Sequence, residues 1–291
     1  MSHPKGIMWL SSYPKSGNTW FRIFLSRVLN QSAERNYIND IDAILGSPMV
    51  ANRSWMNKTL GFDSTLLTPD EVDELRPGAY AWHAQQVQQT TYIKTHDAYT
   101  LLQDKRPLIP TQGCLGAVYF IRNPLDVAIS LAHHVKCPID WSIQMMGNKQ
   151  FSVPLATNIE KQVQQHLLSW SMHVQSWAAD LPIKVLIVRY EDMHLKPLET
   201  FTHTLNFLNL DIAPDLVQEA IEDVSFNKLQ HYEKRFGFVE KPAIEGQFFR
   251  KGIIGDWKNT LSDAQIQRVI HDHGEVMRTY HYLDENNQPI T

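Results

Sequence analysis

Four short segments of this chain carry residues whose types and spacing can do chemistry. The first, Tyr13-Pro14-Lys15-Ser16-Gly17-Asn18-Thr19-Trp20, follows directly on the apolar run Ile7 to Leu10. A lysine, two hydroxyls and a glycine at such a junction suit a phosphate. Gly17 lets the backbone curl close to a ligand, Lys15 supplies positive charge, and Ser16 and Thr19 supply O–H donors. The segment is not the Walker pattern GxxxxGK[ST], because Lys15 precedes the glycine and no partner glycine stands upstream. Taken alone it also reads as an ordinary turn whose serine or threonine caps a helix.

The second segment, Arg122-Asn123-Pro124-Leu125-Asp126-Val127-Ala128-Ile129-Ser130, puts an arginine where the apolar run Gly116 to Ile121 ends and a serine a few turns later. An arginine's planar fork can donate two bonds to a terminal phosphate. Arg122 could equally form a surface ion pair with Asp126. The third segment, Arg250-Lys251-Gly252-Ile253-Ile254-Gly255-Asp256-Trp257-Lys258-Asn259, packs cations and glycines into a stretch too irregular for helix or strand and reads as a loop closing over an anion. The fourth, Thr91-Tyr92-Ile93-Lys94-Thr95-His96, is a β-branched and aromatic strand ending in a lysine and a histidine. An unperturbed imidazole, with a pKa of about 6.5, is mostly neutral near pH 7 and can take a proton.

These residues need elements to position them. In Trp20, Phe21, Phe24, Leu25, Val28 and Leu29 the apolar positions recur at helical spacing, so a helix is expected from Asn18 or Thr19. Its first N–H groups lack intrahelical partners and, with the macrodipole, favour an anion. Gly116 to Ile121 reads as a buried strand, and Pro124 suits the first position of the next helix, which also carries His133 and His134. Lys184 to Val188 reads as a further strand. Helices are expected at Asn158 to Asp180 (with Leu167, Trp170, Val174 and Trp177 on one face), Pro197 to Leu208, Pro214 to Ile221 and Ser262 to Tyr280. Strands alternating with helices predict an α/β fold with a central parallel sheet and helices on both faces, its two strand-to-helix junctions at the carboxyl edge.

In these motifs the chain resembles the sulfotransferases that use 3′-phosphoadenosine 5′-phosphosulfate (PAPS). Their phosphosulfate loop reads YPKSGTTW, their 3′-phosphate motif RNPxDVxxS and their closing loop RKGxxGDWKN, and the three segments here match nearly all of each, in order. The resemblance implies a single P-loop-like domain over 1–291, variable acceptor-binding segments at about 31–89 and 136–157, and a cofactor cap loop at about 236–259. It implies that Lys15, Ser16, Gly17, Asn18 and Thr19 bind the 5′-phosphosulfate. Asn18 stands where the family has threonine. Arg122, Ser130, Arg250, Lys251 and Gly252 would bind the 3′-phosphate, Trp20, Tyr190 and Phe226 would lie at the adenine, and Ser225 would also bind the cofactor; the family often has threonine at the position of Val224. His96 matches the histidine of the family's KTH segment, the base for the acceptor hydroxyl, with Lys15 and Lys94 as the cations beside the moving sulfuryl group. Here Asp97-Ala98 follow where Leu-Pro is common, and a carboxylate beside a histidine can raise its pKa.

Composition bounds the reading. The 291 residues are 43% hydrophobic and 20% charged, as in a globular chain with a sizeable core. A net charge of −4 argues against general affinity for nucleic acid or anionic membrane. Only Cys114 and Cys137 are present, which suits a reducing cytosol. The run Ile7 to Leu10 is too short for a signal segment, and no stretch is long enough to span a bilayer, so a cytoplasmic setting is expected. No metal is expected: Arg122 occupies the strand exit where an aspartate could hold Mg²⁺, and no cysteine and histidine cluster has zinc spacing. Trp55, Met56 and Trp82, with Trp141, Met145, Met146 and Phe151, predict an apolar or ring-bearing alcohol or phenol as small-molecule acceptor. A metal-dependent P-loop kinase and a nucleotide-binding protein without catalysis stay open as alternatives. Of the relatives' C-terminal dimer motif KxxxTVxxxE only Lys258 is kept, which leaves the oligomeric state open.

Overall fold

The computed structural model describes residues 4–30, 36–154, 160–241 and 246–290. In chain order the elements are β1 (Gly6–Ser12), α1 (Asn18–Leu29), α2 (Ile41–Leu45), α3 (Arg53–Leu60), α4 (Pro69–Gln86), β2 (Thr90–Thr95), β3 (Cys114–Ile121), α5 (Pro124–Val135), α6 (Ile139–Gly147), β4 (Ser152–Val153), β5 (Gln165–His166), α7 (Trp170–Ala178), β6 (Val185–Arg189), α8 (Tyr190–Leu195), α9 (Pro197–Phe207), α10 (Pro214–Asp223), α11 (Phe226–Phe236) and α12 (Asp263–Thr279). Short 3-10 turns occupy Ser64–Leu66 and Asp256–Asn259.

Every residue of β1 is buried. A strand without polar alternation needs cover on both faces, and a central position in a parallel sheet supplies it. The sheet order is β2-β1-β3-β6, and β1 runs parallel to both its neighbours, so the carboxyl ends of β1, β2 and β3 lie along one edge. The register pairs Leu10 with Lys94, Ser11 with Thr95 and Ser12 with Phe120. This sheet flanked by helices is the α/β fold that the alternating pattern predicts.

The described residues divide into two compact units. The first draws on Met1–Pro14, Gly46–Ile121 and Met145–Ile187 and contains β1, β2, β3 and β6 as far as Ile187. Within it Trp9 of β1 meets Tyr80 of α4 edge to face at 5.2 Å, and Tyr119 of β3 stacks on Trp177 of α7 at 6.0 Å. The second draws on Lys15–Leu45, Arg122–Gln144 and Val188–Thr291. There the apolar face of α1 packs Phe24 and Phe21 on Phe201 of α9, at 4.2 and 6.0 Å between ring centroids.

Several boundaries differ from the sequence expectation. The helix expected over Asn158 to Asp180 is α7 alone, and Asn158 lies outside the described residues. Gln165 and His166 pair as a strand with Ser152 and Val153, Leu168 turns to φ 58°, and Ser169 caps α7 by accepting the Met172 N–H at 3.2 Å. Among the described residues, the segment around 31–89 holds three α-helices. The longest, α4, starts at a capping box of Thr68 and Glu71 and buries Arg76 and Tyr80, because it packs on the central strand. Asp256–Asn259, expected to be irregular, forms a turn of 3-10 helix. Residues 31–35, 155–157 and 242–245 of the expected acceptor and cap segments lie outside the described residues.

Candidate active site

In the second unit, Lys15 at φ 71° and Gly17 at φ 96° turn the chain between β1 and α1. A Cβ at Gly17 would lie 2.6 Å from the Tyr190 ring, so glycine is what lets this turn rest on α8. The first turn of α1 has no acidic residue of its own to neutralise the positive end of the helix. Ser16 is 1% exposed, and its Oγ has no hydrogen-bond partner among the described residues. An unmet buried hydroxyl costs about 1–3 kcal/mol, and an anion oxygen at this loop would relieve it. The Lys15 ammonium sits over the Phe248 ring at 4.8 Å. Thr19 donates its hydroxyl to Glu240 at 3.0 Å, and the same carboxylate pairs with the buried Arg22.

Arg122 links this loop to the closing loop. Its Nη1 donates to the Lys15 carbonyl and its Nη2 to the Ile253 carbonyl, each at 3.1 Å, while the guanidinium lies 4.3 Å over the Tyr190 ring. Its Nε has no partner among the described residues. The ion pair with Asp126 is present but long, and it is buried instead of lying on the surface. Both residues are buried, and their closest approach of 3.9 Å is beyond hydrogen-bond range. Asp126 instead accepts the N–H groups of Gly255 at 2.8 Å and Trp257 at 3.1 Å, which anchors the closing loop on α5. Burial raises the Asp126 pKa, against the opposing pull of Arg122 and these two amides.

Ser130 and Arg250 line one cavity together with Lys15, Lys136, Lys241 and Phe248, and no carboxylate side chain lines it among the described residues. Burial first, and then Arg250 and Lys251, lower the pKa of His133 at the same cavity. Arg250 and Lys251 both pair with Asp256 of their own loop, at 3.0 and 2.6 Å. A Cβ at Gly252, which has φ 60°, would fall 2.0 Å from the Phe226 ring, so loop and ring are in direct contact. From α11, Gln230 donates to the carbonyls of Phe249 and Arg250, and Glu233 accepts the N–H groups of Phe248 and Phe249. Trp20 donates its indole N–H to the Val224 carbonyl at 2.9 Å and packs against Tyr190 and Phe201. Ser225 is the N-cap residue of α11. Lys15, Ser16, Gly17, Asn18, Thr19, Trp20, Arg122, Ser130, Tyr190, Ser225, Phe226, Arg250, Lys251 and Gly252 thus all belong to this unit.

Lys94 and His96 belong to the first unit. Lys94 is half-buried in β2, and its carbonyl accepts the Val50 N–H at 3.0 Å. His96 leaves the sheet one residue after the Ser11–Thr95 pair, and its Nδ1 lies 2.7 Å from the Ser12 carbonyl and 3.3 Å from the Ser12 hydroxyl. A carbonyl can only accept, so Nδ1 carries the hydrogen and Nε2 the lone pair of the neutral ring. The Asp97 carboxylate is matched by buried Arg76 and also accepts the Thr95 hydroxyl and the His166 N–H.

Ser12, Asp126, Gln230, Glu233 and Glu240 also belong to these contacts, and apart from Asp126 none of them stands out in the sequence as a site residue. Asp126 carried a signal, since it is a fixed position of the second motif. Ser12 carried none, because only the pairing of β1 with β2 brings it to His96. The others act from distant parts of the chain and carry no local pattern.

An α/β sheet in one unit, and in the other a buried phosphate-type loop, an arginine tied to it and a cationic cavity, fit the P-loop-like class of nucleotide-binding proteins. The family model for the sulfotransferase domain matches residues 6–280, and the chain belongs to that family, whose sulfuryl donor is PAPS. Flavonol 3-sulfotransferase of Flaveria bidentis is 25% identical over 282 residues, covering 92% of this chain and 80% of that protein. Sulfotransferase 1A1 of Canis lupus familiaris is 25% identical over 280 residues, covering 92% and 82%. Among solved structures, the mouse sulfotransferase SULT7A1 complexed with PAP has a TM-score of 0.61 at 19% identity, covering 94% of this chain and 85% of that one. A retinol dehydratase in complex with retinol and PAP has a TM-score of 0.63 at 18% identity, covering 95% and 82%. These structures share the fold. The protein is a PAPS-dependent sulfotransferase. Among the described residues no helix is long and apolar enough to cross a membrane.

Proposed function

We propose that the protein transfers a sulfuryl group to the hydroxyl of a small ring-bearing alcohol or phenol, such as a natural product, by in-line displacement with His96 as general base. The observation that carries this reading is the held imidazole: the Ser12 carbonyl takes the Nδ1 hydrogen, which puts the lone pair of the neutral ring on Nε2. Bound PAPS supplies a sulfur whose bond to a phosphate oxygen breaks as the acceptor oxygen attacks. His96 removes the acceptor's proton at Nε2. Lys15 and Lys94 oppose the negative charge that grows on the departing oxygen. Ser16, Gly17, Asn18 and Thr19 hold the 5′ end; Arg122, Ser130, Arg250, Lys251 and Gly252 hold the 3′-phosphate; and Trp20, Tyr190, Ser225 and Phe226 hold the adenine. The unmet Ser16 hydroxyl and the cationic cavity support these assignments.

Residues 1–291 act as one sulfotransferase domain in this reading, at work in the cytoplasm, with acceptor contacts from about 31–89 and 136–157 and a cap from about 236–259. The name of the Flaveria relative, a flavonol sulfotransferase, agrees with a ring-bearing hydroxyl acceptor. The test is a panel of hydroxyl metabolites incubated with PAPS and excess chelator and read by mass spectrometry. A gain of one SO₃ group on a hydroxyl compound, with one PAP released per product, is the expected outcome. Turnover that disappears with the chelator and returns with Mg²⁺ and ATP would favour a kinase instead.

A further inference from the structure

We propose that Gln165 and His173 are positioning residues that hold the His96 imidazole against the Ser12 carbonyl and thereby fix which ring nitrogen carries the lone pair. The inference rests on His96 serving as the general base. His96 stands just past the β1–β2 ladder, which ends at Ser11 and Thr95, so its main-chain groups are met from elsewhere. Its N–H donates to Gln165 Oε1 at 3.1 Å, and its carbonyl accepts from His173 Nε2 at 3.0 Å. Both side chains are buried, at 2% and 0% exposure.

Each of these anchors is itself braced. Gln165 lies on β5, where the His166 N–H donates to Asp97 at 2.9 Å and the His166 carbonyl accepts the Ala98 N–H at 2.7 Å. His173 lies on α7. Its Nε2 must donate to a carbonyl, so its Nδ1 is the acceptor for the Tyr119 hydroxyl at 2.8 Å. That assignment needs a neutral ring, and burial lowers the His173 pKa to about 4. The backbone of the proposed base is thus pinned on both sides of its Cα by side chains from two other elements. Replacing either by an apolar group leaves a buried main-chain group unmet, and the strand exit must move to satisfy it.

Long-range ¹H–¹⁵N spectra of ¹⁵N-histidine-labelled protein test this directly, with His96 identified by the signals lost in His96→Ala. The wild type is expected to show His96 in the Nδ1–H form. Gln165→Leu and His173→Phe should each move both His96 nitrogens toward the exchange average and lower kcat at least about tenfold, with the Kd for PAP unchanged. Gln165→Glu keeps an oxygen acceptor and should restore the wild-type pattern. If the His96 signals stay as in wild type in both variants, the proposal is overturned. Should His173→Phe fail to fold, Gln165→Leu decides alone. Failure of the base reading shows separately, as unaltered turnover in His96→Ala, whatever the spectra of the positioning variants.

Discussion

At the scale of residues, the proposed reaction turns on one ring nitrogen and one ammonium. His96→Ala should lower turnover by roughly 10² to 10⁴, the usual cost of a lost acid or base. Lys15→Ala should cost at least about 10², or about 2.7 kcal/mol of barrier, as for a lost transition-state donor. Steady-state rates at saturating PAPS with an acceptor the wild type uses check both. Near-normal turnover in His96→Ala would assign the proton to another group. His96 was legible in the sequence because a histidine at a strand exit stands out from those inside helices, such as His133 and His134. Its partner Ser12 was not, since only the register of β1 on β2 brings the two together. The partners of Arg122 were hidden for a similar reason. A spacing of four residues suggests the pair with Asp126, which forms at 3.9 Å, but the hydrogen bonds of both side chains go to backbone groups distant in the chain.

At the scale of elements, the residues proposed to hold the cofactor lie at two strand-to-helix junctions and on a loop that ties to both α5 and α11. Asp126 holds the loop at Gly255 and Trp257, while Gln230 and Glu233 hold it at Phe248 to Arg250. Between these anchors Gly252 touches Phe226 with no room for a side chain, at a φ that strains other residues. Gly252→Ala should therefore displace ring or loop at a cost of about 1–3 kcal/mol and weaken PAP binding about tenfold or more. A titration with PAP checks it, and an unchanged Kd would show that the contact is incidental. The ends of α1, α9, α10 and α12 were readable because Gly17, Pro197, Pro214 and Ser262 mark their starts. The helix expected from Asn158 was misread because Leu167 and Trp170 keep helical spacing across the left-handed turn at Leu168 that follows β5.

At the scale of the whole molecule, buried histidines make stability depend on pH. Burial lowers His173, His194 and His273 to about 4, so each is neutral in the folded protein and must take a proton on unfolding below about pH 6.5. Their contribution is full above pH 6.5 and falls as the pH drops toward 4. His166 has the opposite sign: its hydrogen bond to Asp73 raises its pKa, so its contribution is full below pH 6.5 and is lost as the pH rises through the raised value. His273→Gln, remote from the residues assigned to catalysis, should flatten the acid limb by about one proton, about 1.4 kcal/mol per pH unit, in denaturant unfolding between pH 6.5 and 4. An unchanged slope would mean that His273 titrates alike in both states. None of this was visible in a chain with 13 histidines, because burial is a tertiary property that histidine spacing does not encode. One chain is expected to grip a nucleotide at both its phosphates. Calorimetric titration with PAP, beside adenosine 5′-phosphate lacking the 3′-phosphate, tests it most directly. The prediction is one PAP per chain, bound at least about a hundredfold tighter than the monophosphate, with that preference lost in Arg122→Ala. No heat with PAP, or equal affinity for the two nucleotides, would contradict it.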